Sequence, residues 1–152
     1  MSDGTPTPSG YTWEAPDAPH PARTAAKNSQ SRVAAQDKEG WLALFADDAH
    51  IEDPVGPSFL DPDGKGHKGR EAISAFWDGY VGLMKGFHAR TTESFANGPS
   101  CANVTQLTTT LGDGSQMTVD CVIVYTVDDA GLLTSIRAHW EPDRALATLK
   151  AP

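Results

Sequence analysis

Cysteine is scarce in this chain of 152 residues: Cys101 and Cys121 stand far apart, with no Cys-x-x-Cys pair. That spacing argues against a disulfide framework and against a thiolate zinc site, and both thiols read as small buried hydrophobes. Positive charge is also short. Twelve Lys and Arg face twenty Asp and Glu, a formal net charge of −8 with no dense basic cluster, which excludes the usual signature of a nucleic-acid or anionic-membrane partner. No apolar run approaches the roughly 20 residues that span a bilayer. No signal-peptide pattern precedes the domain, so the expectation is a cytoplasmic protein. His50, His67, His88 and His139 lack ligand spacing, and Asp61-Pro62-Asp63-Gly64 lacks the later carboxylates of a calcium loop, so neither metal nor cofactor is expected.

What remains is an ordinary globular composition, 39% apolar and 21% charged, long enough for one domain with its own core. Residues 1–20, with Pro6, Pro8, Pro16 and Pro19, read as a disordered Pro-rich tail carrying Tyr11 and Trp13. Residues 21–150 read as a single domain. Pro21 suits the first turn of a helix over residues 22–36, whose apolar face (Ala25, Ala26, Val33) is thin. Asp37 can cap a second helix carrying Trp41, Leu42, Leu44 and Phe45, which Asp47-Asp48 would terminate. Residues 50–52 form a short strand, and a Pro- and Gly-rich loop leads to a third helix opening at Gly69-Arg70-Glu71, with Ile73, Phe76, Trp77, Tyr80 and Val81 at helical spacing. Four β-rich stretches follow, near residues 86–96, 102–111, 116–127 and 132–141. The short turns between them imply an antiparallel meander. Helices first and hairpins afterwards make an α+β order.

Asp53 is the side chain most suited to chemistry. It stands at a strand end before Pro54, with Ile51 and Val55 available to desolvate it and so make it a better base. The same Asp-Pro-x-Gly run also reads as a plain turn start.

Three blocks carry a resemblance: residues 46–56 (ADDAHIEDPVG), residues 68–77 (KGREAISAFW) and residues 128–140 (DDAGLLTSIRAHW). Together they resemble the ketosteroid isomerase branch of the nuclear-transport-factor-2-like (SnoaL-like) superfamily, over roughly residues 30–144. The resemblance implies a cone of curved antiparallel or mixed sheet closed by three N-terminal helices, with an apolar pocket inside. It implies Asp53 as the base that moves a proton from C4 to C6 of a Δ5-3-ketosteroid through a dienolate. It also implies a homodimer, without cofactor, that takes a small, apolar, steroid-like ligand.

The family's two dienolate donors are not present. Counting back from Asp53 puts Ser29 at the place of the family's Tyr, and counting back from Trp140 puts Ile123 at the place of its protonated Asp. Trp77 takes the position that buttresses the Tyr. Ser29 and Trp77 are therefore the leading replacement donors, with Gln106, Thr108, Tyr125 and His139 as further candidates. Phe76, Trp77, Gln106, Thr108, Ile123, Tyr125, Ile136 and Trp140 are expected to line the substrate pocket. A non-catalytic carrier of a steroid-sized ligand, or a cyclase, dehydratase or epoxide hydrolase on the same fold, remains as an alternative.

Overall fold

The computed structural model describes residues 10–152. Its elements are β1 (Gly10–Trp13), α1 (Pro21–Ala34), α2 (Lys38–Leu42), β2 (Phe45–Glu52), β3 (His67–Lys68), α3 (Arg70–Gly79), a 3-10 turn (Val81–Leu83), β4 (Gly86–Asn97), β5 (Ser100–Thr110), β6 (Gln116–Val127), β7 (Leu133–His139) and α4 (Pro142–Leu146). The strands make one sheet in the order β1-β4-β5-β6-β7-β2-β3. The four long strands β4 to β7 are an antiparallel meander, while β1 runs parallel to β4 and β2 parallel to β7, so the sheet is mixed. The expected α+β architecture with a curved, unclosed sheet is what is observed.

Strand alternation sets the inside of the cone. In β6 the odd-numbered Met117, Val119, Cys121, Ile123, Tyr125 and Val127 are buried, while Asp120 and Val122 point outward. Against this concave face α1 lays a stripe at helical spacing, Ala22, Ala25, Ala26, Ser29, Gln30 and Val33, all buried. Its small residues let the helix approach the sheet closely. The N-cap is His20, whose Nδ1 accepts the Ala22 N–H at 3.0 Å; its Nε2 then carries the proton and donates to the Gly98 carbonyl at 3.0 Å. Arg23 ties α1 to β4 by donating to the Ser94 hydroxyl and carbonyl at 2.9 and 3.1 Å. Trp41, Phe45 and Trp77 pack together in the core, with ring centroids 4.7 Å (Trp41–Phe45) and 5.2 Å (Trp41–Trp77) apart.

Three local expectations are corrected. Residues 10–13 of the expected tail form an edge strand on β4, held further by Glu14 N–H to the Thr91 carbonyl at 2.9 Å and by an Arg90–Glu14 pair; residues 1–9 of that expectation lie outside the described residues. The second helix stops at Leu42, and Phe45 already belongs to β2. Asp47 and Asp48 therefore lie exposed within β2, where Arg70 reaches the Asp47 carboxylate at 3.3 Å, instead of ending a helix. The physical reason is the strand itself: β2 buries Phe45, Ala49 and Ile51, and an irregularity in its pairing with β7 between Phe45 and His50 leaves both Asp47 and Asp48 outward. Among the described residues, no helix is long and apolar enough to cross a membrane.

Candidate active site

The parallel pairing of β2 with β7 brings two strand ends together. Glu52 pairs with Arg137 in register, and their side chains bond at 2.9 Å. Asp53 follows the end of β2, and Trp140 follows the end of β7. The Trp140 indole Nε1–H donates to Asp53 Oδ1 at 2.7 Å. The Asp53–Pro54 peptide is cis, and Val55 N–H returns to the Ala138 carbonyl at 2.8 Å, anchoring the loop beside the site.

Asp53 looks into a cavity between α1, α3 and the concave sheet. Its walls are mostly apolar: Val33, Trp41, Ile51, Phe76, Val81, Phe87, Leu107, Val119, Ile123, Ile136 and Ala138 among them. Its polar members are Ser29, Gln30, Tyr80, Thr109, Tyr125 and the Trp140 N–H. The cavity volume is about 80 Å³. The cavity is narrow, so a four-ring ligand requires flexible wall residues such as half-buried Met84 to move aside.

Burial dominates the electrostatics. Asp53 keeps some accessible surface because it faces the cavity, but the protein around it strips solvent from the carboxylate and raises its pKa; the Trp140 hydrogen bond opposes this by favouring the anion. Tyr80 and Tyr125 are both held far above the usual tyrosine range, mainly by burial and in part by the Asp53 charge, so both remain neutral hydrogen-bond donors. Tyr80 has Thr109 as a partner, which favours its ionised form slightly. The Gln30 amide lies close enough to the Tyr125 hydroxyl to lower its pKa as a hydrogen bond would, yet neither amide atom has a partner of good geometry. The contact is therefore loose. A buried amide left in that state costs about 1–3 kcal/mol.

Of the residues expected at the site, Asp53, Ser29, Phe76, Ile123, Tyr125, Ile136 and Trp140 line this one cavity. Four do not. Trp77 is buried behind the wall, tilted at 45° against Trp41, with its Nε1 edge facing Gly82, where a Cβ would lie 3.0 Å away. The cavity instead receives Trp41, whose Nε1–H donates to the Ser29 hydroxyl oxygen at 3.2 Å. Gln106 and Thr108 miss by one residue: β5 turns Leu107 and Thr109 inward, and Gln106 donates to Asp120 at 2.9 Å on the outer face. A one-residue offset in a strand reverses every side chain. His139 likewise lies on that outer face, beside Gln106 and Asp120. Gln30, Trp41 and Thr109 were not anticipated at the site. For Gln30 a signal was present, since its spacing from Ala22, Ala26 and Val33 places it on the buried stripe of α1.

Known proteins match this chain as follows. The SnoaL-like domain family matches residues 27–136. A steroid Delta-isomerase of Nocardioides simplex is 33% identical over 106 residues, covering 70% of this chain and 78% of that protein. A Delta 5-3-ketosteroid isomerase from a Mycobacterium species superposes with a TM-score of 0.76 at 36% identity, covering 86% of this chain and 97% of that one. A Mycobacterium tuberculosis protein solved in complex with estradiol-17β-hemisuccinate superposes with a TM-score of 0.77 at 36% identity, covering 87% and 99%.

Proposed function

The chain belongs to the SnoaL-like domain family, on the ketosteroid isomerase-like branch of the nuclear-transport-factor-2-like superfamily, and from that premise we propose that it shifts the double bond of a Δ5-3-ketosteroid, with Asp53 as the base. The observation that carries this reading is the buried carboxylate itself: Asp53, hydrogen-bonded by Trp140 at one oxygen, facing a narrow apolar cavity. The Trp140 bond engages Oδ1 and leaves Oδ2 to meet a substrate proton.

The chemistry follows from those two oxygens. Ionised Asp53 takes a proton from C4, breaking the C4–H bond and sending its electrons through C3 onto the ketone oxygen as a dienolate. The resulting carboxylic acid then returns the proton to C6. The C5=C6 double bond becomes C4=C5, and the ketone is regenerated with no net redox change. Desolvation makes the carboxylate a stronger base for the first transfer, and the Trp140 bond keeps enough of it ionised to act. The apolar walls exclude water that would otherwise exchange with the carried proton.

Mixing the purified protein with 5-androstene-3,17-dione and following absorbance of the conjugated enone tests this. Wild type is expected to turn over, and Asp53→Asn to lose nearly all activity while retaining steroid binding. Equal activity in Asp53→Asn would overturn the reading. Binding without turnover in wild type would favour a carrier, in keeping with the complex of the M. tuberculosis relative with estradiol-17β-hemisuccinate.

A further inference from the structure

A dienolate oxygen cannot be left unpaired in an apolar cavity. Gln30 is 3% exposed, lines the same cavity as Asp53, and has neither amide atom in a hydrogen bond of good geometry. Asn103, also buried with an unbonded amide, does not line that cavity. Among the other polar wall groups, Ser29 Oγ accepts from Trp41 and Tyr80 has Thr109 as a partner, whereas both Gln30 amide atoms lack a bond of good geometry. Tyr125 sits beside Gln30 and stays protonated because burial holds its pKa far above its usual range. One Nε2–H of Gln30 can donate to the Tyr125 hydroxyl oxygen, which fits the lowering contribution Gln30 makes there and leaves the second Nε2–H for the cavity.

We propose that the Gln30 side-chain amide is the donor that receives the ligand's ketone oxygen, in the ground state and as charge develops on it, with Tyr125 as the residue that positions it. The proposal assigns the cavity an orientation: the ketone-bearing ring enters first, against α1 and β6, with C4 and C6 presented to Asp53. A neutral amide suits this task because it strengthens its bond as the oxygen becomes anionic, without a buried charge of its own. The ligand class it selects is a flat, apolar ketone with a hydrogen-bond acceptor at one end.

The catalytic half of this proposal rests on the proton-transfer reading above, and the binding half does not, so the test separates them. The conjugated product 4-androstene-3,17-dione is bound to wild type, and its enone carbonyl stretch is read by infrared difference spectroscopy. A shift to lower frequency is expected in wild type and is expected to vanish in Gln30→Met, which keeps the length of the side chain and removes the amide. In turnover of 5-androstene-3,17-dione, Gln30→Met should lower kcat by roughly 10²–10³-fold and raise KM by a smaller factor. Tyr125→Phe should weaken the carbonyl shift without abolishing it. A shift retained in Gln30→Met, or absent from wild type, overturns the proposal. So does a shift lost in Tyr125→Phe but kept in Gln30→Met, which would make the phenol the donor. If the shift behaves as expected but wild type turns nothing over, Gln30 stands as the ketone anchor and the proton-transfer reading falls. Should Gln30→Met fail to fold, the side-chain amide resonances of Gln30 in wild type replace it. They should move downfield on titration with 4-androstene-3,17-dione, and unmoved resonances overturn the proposal.

Discussion

Replacing Trp140 by Phe removes one hydrogen bond from the base while keeping an aromatic ring against Phe59, whose centroid lies 6.0 Å away. The bond is 2.7 Å long and its acceptor is Asp53 Oδ1. A hydrogen bond to an ionised group contributes about 1.5–3 kcal/mol net. It favours the anion, so its loss lets desolvation act unopposed and pushes the Asp53 pKa further up. That energy corresponds to roughly ten- to hundredfold in the ionisation equilibrium. The assay is kcat/KM for 5-androstene-3,17-dione across pH, which reports the ionisation of the free enzyme. In Trp140→Phe the rising limb should move to higher pH, with activity near neutrality reduced by up to that factor. The high-pH plateau should be kept or raised, since a more strongly held proton means a stronger base. A limb that stays where wild type has it, in a variant with unchanged circular dichroism, would refute the claim that this bond sets the base's proton affinity.

Other perturbations follow from the same structure. Because burial raises the folded pKa of Asp53 above its unfolded value of 3.8, its contribution to stability is fully present below that value and is lost as pH rises through the folded pKa; Asp53→Asn should therefore raise Tm at pH 7 and change it less at pH 3, as calorimetry would show. Ser29→Ala should leave the Trp41 N–H buried without its acceptor, lowering stability by about 1–3 kcal/mol in denaturant titration while leaving kcat within a few-fold. The outer face of the sheet pairs exposed Val104 with exposed Val122 across β5 and β6, and we expect a homodimer to cover it; light scattering should give twice 16.2 kDa for wild type and the monomer mass for Val122→Lys.

Much of the fold was legible because it depends on local patterns. The Ile73, Phe76 and Trp77 spacing marked α3, and the turns at Asn97-Gly98 and Gly112-Asp113-Gly114 fixed the meander. Short edge elements were not legible. β1 has only four residues in a Pro-rich stretch, and β3 has two, so their existence depends on partners distant in the chain. The site divides in the same way. Asp53 and Trp140 sit at strand ends that a linear motif marks, whereas Gln106 and Thr108 were placed one residue out of phase on β5. Trp77 and Trp41 exchanged roles because a helix-facing pattern says only that a ring is buried, not which ring reaches the cavity. Gln30 is not legible at the site because the thin apolar face of α1 does not by itself say that its polar members, Ser29 and Gln30, face a cavity.

Asp53 is expected to carry one proton between two carbons inside a cavity that keeps water away. Converting 5-androstene-3,17-dione deuterated at C4, in ordinary water, and locating the label in the product by NMR tests it directly. Deuterium is expected at C6 of the conjugated product, delivered by the same carboxylate that removed it from C4. Product whose new C6 hydrogen comes entirely from solvent, or no product at all, would contradict it.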